Sequence, residues 1–331
     1  MAGNLGFNVG SCGSQLHPTV MPASNFNPEN DCERLRNAMA GLGTNEKELI
    51  EVFSHRSADQ RAVLVKKYKS MFGKDLIENF KSELSGHFYD TMEALCLSSS
   101  EFDARELYRA MKGAGTNDSV LIEILCTRTN YQLKKIKEAY KLFTGNNLEN
   151  DVSGDTSGDF KHLCIALLQA NRDESIHVDQ QLARKDAEAL YQAGEKKWGT
   201  DESKFIQVFA TRSPEHLKAV CREYSNFSKK TLEEALKSEM SGSLLQCLLA
   251  IVQCANNKAL YFAERLRKSM KGAGTNDRDL IRIVVSRCEI DLHLIKREFY
   301  DLAGNSLEAW IEDDTSGDYR ELLLALVRTN L

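Results

Sequence analysis

The sequence has few prolines and no long apolar run. Only four of its 331 residues are proline, and three of these fall within the first 28 positions. The longest apolar stretch, Leu244–Val252, is interrupted by Gln246 and is far shorter than the roughly 20 residues that a membrane-spanning helix needs. The sequence therefore predicts no transmembrane helix.

Positive charge is not in excess. The chain has 43 basic and 48 acidic residues, which gives a net charge of −5. A protein that binds nucleic acid by neutralising phosphates is typically basic, so we expect no nucleic-acid partner. The same balance disfavours anchoring to anionic lipid through a polybasic patch.

The first residues lack the basic start and apolar segment of a secretory signal. The nine cysteines are an odd number, and no two of them form a CxxC pair. We therefore expect a cytoplasmic protein with reduced thiols, without a zinc site or a disulfide framework. Export by a route that needs no signal peptide is left open.

Glycine and proline are frequent at the start of the chain. Pro18 and Pro22 follow glycines at positions 3, 6, 10 and 13. Because both residue types oppose regular structure, residues 1–26 are predicted to form a flexible tail that includes Cys12.

Internal repetition dominates the rest of the sequence. Four segments contain glycine followed by threonine, and they read AGLGTNEKELI, KGAGTNDSVLI, KKWGTDESKFI and KGAGTNDRDLI. Counted from the threonines Thr44, Thr116, Thr200 and Thr275, an arginine recurs 12 residues on, an aromatic residue 24 on and an acid 39 on. A Ser-Gly pair follows each acid. Four ungapped copies of such a pattern indicate a repeat protein.

The spacing of the repeats gives the predicted domain organisation. Residues 1–26 form the tail, residues 27–98 the first repeat and residues 99–170 the second. A polar linker occupies residues 171–182, the third repeat residues 183–256 and the fourth residues 257–331.

Within a repeat, apolar residues recur at helical spacing. After Thr116 they fall on one helix face, and Thr116 itself is predicted to cap that helix. Ser57 with Gln60 and Thr129 with Gln132 match the capping-box pattern. Since no strand-like alternation is sustained anywhere, we predict an all-α fold with short loops.

The loops have a composition that suits a hard cation. Glycines at positive φ allow several backbone carbonyls to turn toward one point, and Ca²⁺ takes 6–8 oxygen ligands. The acid 39 residues later, if the helices fold back antiparallel, would supply the carboxylate. The alternative is that the glycines end helices and the acids begin them, which explains any one loop but not four loops each followed by an acid at one offset.

These residues resemble the annexin family over residues 27–331, most closely at KGAGTN (112–117) and GDTSGD (154–159). The resemblance implies four five-helix repeats packed into a curved disc. It also implies calcium-dependent binding to acidic phospholipid membranes, with Ca²⁺ bridging loop oxygens to lipid phosphates. Roles in membrane organisation, aggregation or repair, a protein partner, and self-association on the membrane are left open.

The resemblance implies a ligand set for each repeat. Carbonyls from the first loop and one downstream carboxylate would hold each ion. The residues are Met39, Gly41, Gly43 and Glu83 in repeat one; Met111, Gly113, Gly115 and Asp155 in repeat two; Gly194, Lys197, Gly199 and Glu239 in repeat three; and Met270, Gly272, Gly274 and Asp314 in repeat four. In repeat three Lys197 replaces the first loop glycine, so a different loop path is expected there.

Several loop residues are expected to contact lipid. Trp198, at the tip of the third loop, is favoured at a bilayer interface. Leu42 occupies the same place in the first loop, and Lys112 and Lys271 lie beside the glycines of the second and fourth. Two other classes of function stay open: an α-helical scaffold that binds proteins, and, more remotely, an enzyme. The sequence contains no nucleotide-binding GxxxxGK[ST] loop and no HExxH zinc motif, so no enzymatic activity is predicted.

Overall fold

The computed structural model describes residues 16–328 apart from residues 42, 198 and 273. Over this part of the chain it contains nineteen α-helices and no strand. The predicted all-α class is therefore confirmed. No described helix combines the length and the apolar character that crossing a bilayer requires.

The first ten helices form two consecutive sets of five. The first set comprises α1 (Pro28–Ala38), α2 (Glu46–Ser54), α3 (Ala58–Phe72), α4 (Leu76–Glu83) and α5 (Gly86–Cys96). The second set comprises α6 (Ser99–Met111), α7 (Asp118–Thr127), α8 (Asn130–Thr144), α9 (Leu148–Asp155) and α10 (Gly158–Leu168).

The remaining helices form two further sets that share one long helix. The third set comprises α11 (Gln180–Ala193), α12 (Glu202–Thr211), α13 (Pro214–Tyr224), α14 (Leu232–Glu239) and the first part of α15 (Gly242–Met270). They are followed by α16 (Asp277–Arg287), α17 (Leu292–Ala303), α18 (Leu307–Asp314) and α19 (Gly317–Val327). Inside α15 the backbone leaves the helical region at Asn257 (φ −154°, ψ 95°), so its two parts complete five helices in each repeat.

Capping residues begin the helices largely as the sequence predicts. Both capping boxes, Ser57 with Gln60 and Thr129 with Gln132, are present. The prediction that Thr116 caps α7 is wrong. Asn117 occupies the capping position, which leaves the Thr116 hydroxyl available for another partner.

The repeated arginine forms an ion pair within its own repeat. Arg128 makes a two-pronged ion pair with Asp103, at 2.6 and 2.8 Å, and both residues are buried. Arg56 pairs with Asp31 and Arg212 with Asp186 in the same way. Each pair gives the buried aspartate the charged partner that it needs. It also connects the first helix of a repeat to the end of the second helix.

In the fourth repeat the arginine has different partners. Phe262 stands where the other repeats have the aspartate. Arg287 lies over the Phe262 ring at 4.6 Å and pairs with Asp291 on its C-terminal side at 2.6 Å. A cation–π contact and a local ion pair thus replace the interhelical carboxylate.

The repeated aromatic residue is buried in every repeat. Tyr68, Tyr140, Tyr224 and Phe299 are all at most 1% exposed. Each tyrosine hydroxyl has a polar partner; that of Tyr140, for example, donates to Asp151 at 2.7 Å. The position is therefore a core position whose polar tip is satisfied.

Part of the predicted tail is bound to the protein. Thr19 and Val20 are buried, and the Thr19 hydroxyl donates to the carbonyl of Leu326 at 2.6 Å. The backbone N–H of His17 donates to the carbonyl of Ile290. The prediction of a flexible tail is wrong for this stretch, because backbone hydrogen bonds outweigh its Pro-rich composition; residues 1–15, with Cys12, lie outside the described residues.

The chain divides into two compact units. One contains residues 103–258 and the other residues 16–102 together with 259–328. Helix α11 begins at Gln180, capped by Asp179, which is inside the predicted linker of residues 171–182. The repeat boundaries given above stay predictions.

Candidate cation sites

A closed loop follows the first helix of every repeat. In each loop the residue after the repeated threonine donates its backbone N–H to a carbonyl near the end of that helix. The pairs are Asn45 to Ala38 (2.8 Å), Asn117 to Ala110 (2.8 Å), Asp201 to Ala193 (2.9 Å) and Asn276 to Ser269 (2.7 Å). These bonds fix both ends of the loop, so the carbonyls between them belong to a short, constrained segment.

Glycine is required in three of these loops by backbone conformation. Each contains two glycines at positive φ: Gly41 and Gly43 (101° and 86°), Gly113 and Gly115 (115° and 87°), Gly272 and Gly274 (120° and 93°). A Cβ atom at these positions would meet nothing within 4 Å. Strain at positive φ, and not lack of space, therefore excludes other residues.

The third loop takes a different path. Asp201 lies eight positions after its acceptor Ala193, against seven in the other loops. Gly199 is at positive φ (79°), whereas Gly194 is at φ −107°. The Gly194 carbonyl accepts the N–H of Lys197 at 2.9 Å in an additional turn. Lys197 is not at positive φ on this path, so the third loop does not need a glycine at that position.

The four predicted acids share one structural position. Each is the last residue of the fourth helix of its repeat: Glu83 of α4, Asp155 of α9, Glu239 of α14 and Asp314 of α18. The interpretation of these acids as N-caps is therefore wrong. A carboxylate at a helix C-terminus is disfavoured by the helix dipole, which makes a nearby positive charge favourable.

A Ser-Gly turn leads from each acid into the next helix. The glycine begins that helix in the left-handed region, with φ between 57° and 63° at Gly86, Gly158, Gly242 and Gly317. Ser85, Ser157 and Ser316 stand at the capping position but make no side-chain capping bond. The turn sets the direction of the chain after the acid.

The repeated threonine connects the loop to the acid. The Thr275 hydroxyl lies 2.9 Å from Asp314 Oδ2 and 3.1 Å from its backbone oxygen. Thr116 donates to the Asp155 carbonyl at 2.8 Å, with Oδ2 at 3.4 Å. The loop and the acid, 39 residues apart in sequence, are therefore neighbours, as the antiparallel arrangement predicts.

The other two repeats differ in this contact. Thr200 donates to Glu239 Oε2 at 3.2 Å, and a Cβ on Gly194 would lie 3.7 Å from Glu239 Cγ. In the first repeat Thr44 and Glu83 are both among the described residues, but no hydrogen bond joins them. The connection is therefore present in repeats two, three and four.

The predicted ligands fall into three classes of exposure. The loop glycines at positive φ, Lys197, Glu83 and Asp155 are exposed, whereas Asp314 and Glu239 are partly buried. Met111, Met270 and Gly194 are buried, and Met39 is partly buried. Lys112 and Lys271 are exposed beside their loops. The lipid contacts predicted for Leu42 and Trp198 lie outside the described residues.

The donor set suits a hard cation. Among the described residues, no group of three or more His, Cys, Asp or Glu side chains is arranged to hold a metal ion. A site with several carbonyls and one carboxylate has the oxygen chemistry that Ca²⁺ prefers.

A polar cleft adjoins the second-repeat loop. Its lining includes Gly115, Thr116, Asp155, Asp159 and Ser243. The cleft gives the loop and the acid a shared open side, where water or a phosphate oxygen has access.

Sequence reasoning missed the threonine–acid contact. The sequence pattern predicts Thr116 to be a helix cap, although the four threonines and the four acids recur at one fixed offset. That recurrence was the available signal.

Comparison with known proteins agrees with this arrangement. The annexin family model matches four segments, residues 30–95, 102–167, 185–251 and 261–326. The chain is 49% identical over 308 residues to annexin A4 of Sus scrofa, covering 93% of this chain and 97% of the relative. It is 49% identical over 311 residues to human annexin A13, covering 94% and 98%.

Solved structures show the same similarity. Annexin III superposes with a TM-score of 0.93 at 45% identity, covering 94% of this chain and 97% of that one. Calcium-bound annexin (Sm)1 superposes with a TM-score of 0.86 at 34% identity, covering 95% and 94%. Annexins are calcium-dependent phospholipid-binding proteins and not enzymes. The four family matches, together with identity near one half over almost the whole sequence, establish that this chain belongs to the annexin family.

Proposed function

We propose that the loops bind Ca²⁺ and that the bound ions bridge the chain to acidic phospholipids. The ligands would be the backbone carbonyls of each loop and the acid that ends the fourth helix. They are Met39, Gly41, Gly43 and Glu83; Met111, Gly113, Gly115 and Asp155; Gly194, Lys197, Gly199 and Glu239; and Met270, Gly272, Gly274 and Asp314.

The observation that carries this proposal is the contact between threonine and acid. In repeats two and four the hydroxyl of Thr116 or Thr275 approaches both the backbone oxygen and the carboxylate of its acid. The acid is thus held beside the glycine loop although it lies at an unfavourable helix end. A cation between the two would offset that electrostatic cost.

Each site would leave coordination positions open. Three carbonyls and one carboxylate supply four or five oxygen atoms, fewer than the 6–8 that Ca²⁺ takes. Water or a lipid phosphate oxygen would complete the shell. Binding without lipid would therefore be weak, and lipid would raise the apparent affinity for calcium.

The net charge of the chain also supports membrane binding that depends on calcium. A chain of net charge −5 and an anionic membrane repel each other at long range. Calcium held at the loops reverses the local sign, so membrane association would be peripheral, reversible and dependent on calcium. The exposed Lys112 and Lys271 would add headgroup contacts, and Trp198 and Leu42 would contact the interface.

The four sites are not equivalent. The second and fourth share the same loop path and the same threonine–acid contact. In the third, the Gly194 carbonyl already accepts a hydrogen bond, and Lys197 Nζ lies 3.8 Å from Asp201. In the first, Thr44 does not hold Glu83. We therefore expect repeats two and four to contribute most to binding.

Vesicle sedimentation tests the proposal. The chain is mixed with vesicles that contain phosphatidylserine and is titrated with calcium, and phosphatidylcholine vesicles serve as the control. The protein should sediment with the phosphatidylserine vesicles and should be released by chelator. Sedimentation that ignores chelator, or none at millimolar calcium, would contradict the proposal and favour a protein-binding scaffold.

A further inference from the structure

Two buried thiols contact each other where the second and third repeats meet. Cys126, near the end of α7, and Cys247, near the start of α15, have their Sγ atoms 3.6 Å apart. Cys126 is 5% exposed and Cys247 is 0% exposed. Their separation of 121 positions in sequence shows that folding alone brings these sulfur atoms together.

A partly buried positive charge lies close to this thiol pair. The Nε atom of Arg172 is buried and has no hydrogen-bond partner, while its Nη2 donates to the carbonyl of Phe209 at 2.7 Å. Among the described residues, no carboxylate lies within ion-pair distance of Arg172, although Glu174 is close enough to raise its pKa. An arginine without a carboxylate partner is costly to bury, so a compensating negative charge nearby would be stabilised.

The charge of Arg172 acts on the thiols. Burial lowers the pKa of Arg172, whereas the nearby sulfur atoms of Cys126, Cys247 and Cys254 oppose that change. The contact with Cys247 and burial raise the pKa of Cys126, and Arg172 acts in the opposite direction. The surroundings of Cys126 thus favour its thiol form, and the guanidinium of Arg172 opposes that effect.

Two other buried cysteines have different surroundings. Cys32 and Cys288 have backbone carbonyls as the partners of their sulfur atoms. All eight described cysteines are free thiols. The sulfur–sulfur contact of Cys126 and Cys247, beside the guanidinium of Arg172, distinguishes this site from those of Cys32 and Cys288.

We propose that Cys126 and Cys247 are a redox-active thiol pair, which a peroxide oxidises to a disulfide that joins α7 to α15, with Arg172 as the positioning residue for the thiolate. This proposal is independent of calcium binding. Closing the present gap requires the sulfur atoms to approach by about 1.5 Å, since a disulfide bond is about 2.05 Å long.

The oxidation is balanced in two steps. The Cys126 thiolate attacks one oxygen of hydrogen peroxide, which gives a sulfenic acid and a hydroxide that takes up the proton lost by the thiol. The Cys247 thiolate then attacks the Cys126 sulfur and expels hydroxide, which leaves as water with the proton of Cys247. Two thiols and one peroxide give one disulfide and two waters. Because both sulfur atoms are buried, the reaction waits for local opening and is slower than that of an exposed thiol.

Mass spectrometry of the whole chain tests the proposal. The protein is treated with hydrogen peroxide without calcium, alkylated in denaturant and digested without reductant. We expect a cross-linked peptide pair containing Cys126 and Cys247, lighter by two hydrogen atoms and separated by dithiothreitol. We also expect a higher melting temperature after oxidation, because the link constrains a long loop in the unfolded chain. Both cysteines remaining alkylatable, or oxidised beyond sulfenic acid without a link, would overturn the proposal.

Matched variants separate this pair from the other thiols. The link should persist in Cys288→Ala, which removes a buried cysteine bonded to a carbonyl. It should disappear in Cys126→Ala and in Cys247→Ala. If a disulfide between other cysteines forms as fast in the wild-type chain, the assignment to Cys126 and Cys247 is contradicted. This comparison uses only the wild-type chain, so it is valid even if the variants lose stability.

The role of Arg172 has its own readout. In Arg172→Met the link should form several-fold more slowly at neutral pH, and the pH profile of the rate should move to higher pH. Arg172→Lys should keep the wild-type profile, since it retains the charge. An unchanged profile in Arg172→Met would show that the residue has only a structural role.

Discussion

At the residue scale, the repeats depend on buried charges whose partners are provided within the fold. Arg128 reaches Asp103 on the preceding helix, whereas Arg287 lies over Phe262 and turns to Asp291. The sequence indicates the four arginines because they recur at a fixed offset from the threonines. It does not indicate their partners, because the aspartate lies upstream of the loop and one repeat replaces it with an aromatic ring.

Removing one partner of the buried pair should destabilise the chain strongly. Arg128→Met leaves Asp103 buried and unpaired, which costs about 3 kcal/mol of unfolding free energy. Urea denaturation followed by circular dichroism measures the loss. The double variant with Asp103→Asn should recover part of it, and a double variant no more stable than Arg128→Met would show that the pair is not the cause.

Neutralising the two best-placed acids should weaken calcium-dependent binding. Asp155→Asn combined with Asp314→Asn keeps the side-chain shape but removes the charge proposed to hold the ion. The calcium concentration for half-maximal sedimentation with phosphatidylserine vesicles should rise at least about tenfold, which corresponds to about 1.4 kcal/mol. Helicity without calcium should not change.

The matched control neutralises two acids elsewhere. Glu138→Gln combined with Asp301→Asn removes the same charge from exposed positions on α8 and α17. Its calcium requirement should equal that of the wild type. An equal rise in both double variants would attribute the effect to net charge and not to the sites.

At the element scale, the loops after the first helices carry the candidate sites. Capping boxes and Ser-Gly turns follow from local hydrogen bonding, so the sequence predicts them well. The third loop is less predictable, because its extra residue lies upstream of Thr200 and shifts every position counted back from the threonine. The acids at helix C-termini are also not evident from the sequence, since a helix boundary depends on tertiary contacts.

Glycine substitutions should separate loop conformation from helix propensity. Gly113 has φ +115° with open space around it, so Gly113→Ala strains the backbone and should destabilise the chain by about 1 kcal/mol. It should also raise the calcium requirement, because the carbonyls change direction. Gly154 lies inside α9 without positive φ or close neighbours, so Gly154→Ala should instead stabilise by about 0.5–1 kcal/mol. Thermal denaturation measures both, and equal destabilisation would contradict the conformational argument.

At the scale of the whole molecule, four repeats carry similar loops that differ in their path and in the contact between threonine and acid. The all-α class, the four repeats and the family follow from sequence, because hydrophobic period and repeated motifs extend over nearly the whole chain. The attachment of residues 17–20 to the fourth repeat does not, since it rests on backbone hydrogen bonds that no composition rule reveals.

Calcium should stabilise the folded chain, because the sites exist only when loop and acid are assembled. Ligand that binds only the folded state adds about 2.7 kcal/mol per site at a concentration 100 times its dissociation constant. The melting temperature should rise with calcium and return with chelator, and the rise should be smaller for the combined Asp155→Asn and Asp314→Asn variant. A melting temperature independent of calcium would be inconsistent with loop binding.

The most direct measurement is a crystal structure of the chain grown with calcium and a short-chain phosphatidylserine. We expect ions in the second and fourth loops, each about 2.3–2.6 Å from loop carbonyl oxygens and from the carboxylate of Asp155 or Asp314, with a lipid phosphate oxygen or water completing the shell. Ions held only elsewhere, or carbonyls and carboxylates that do not share an ion, would contradict it.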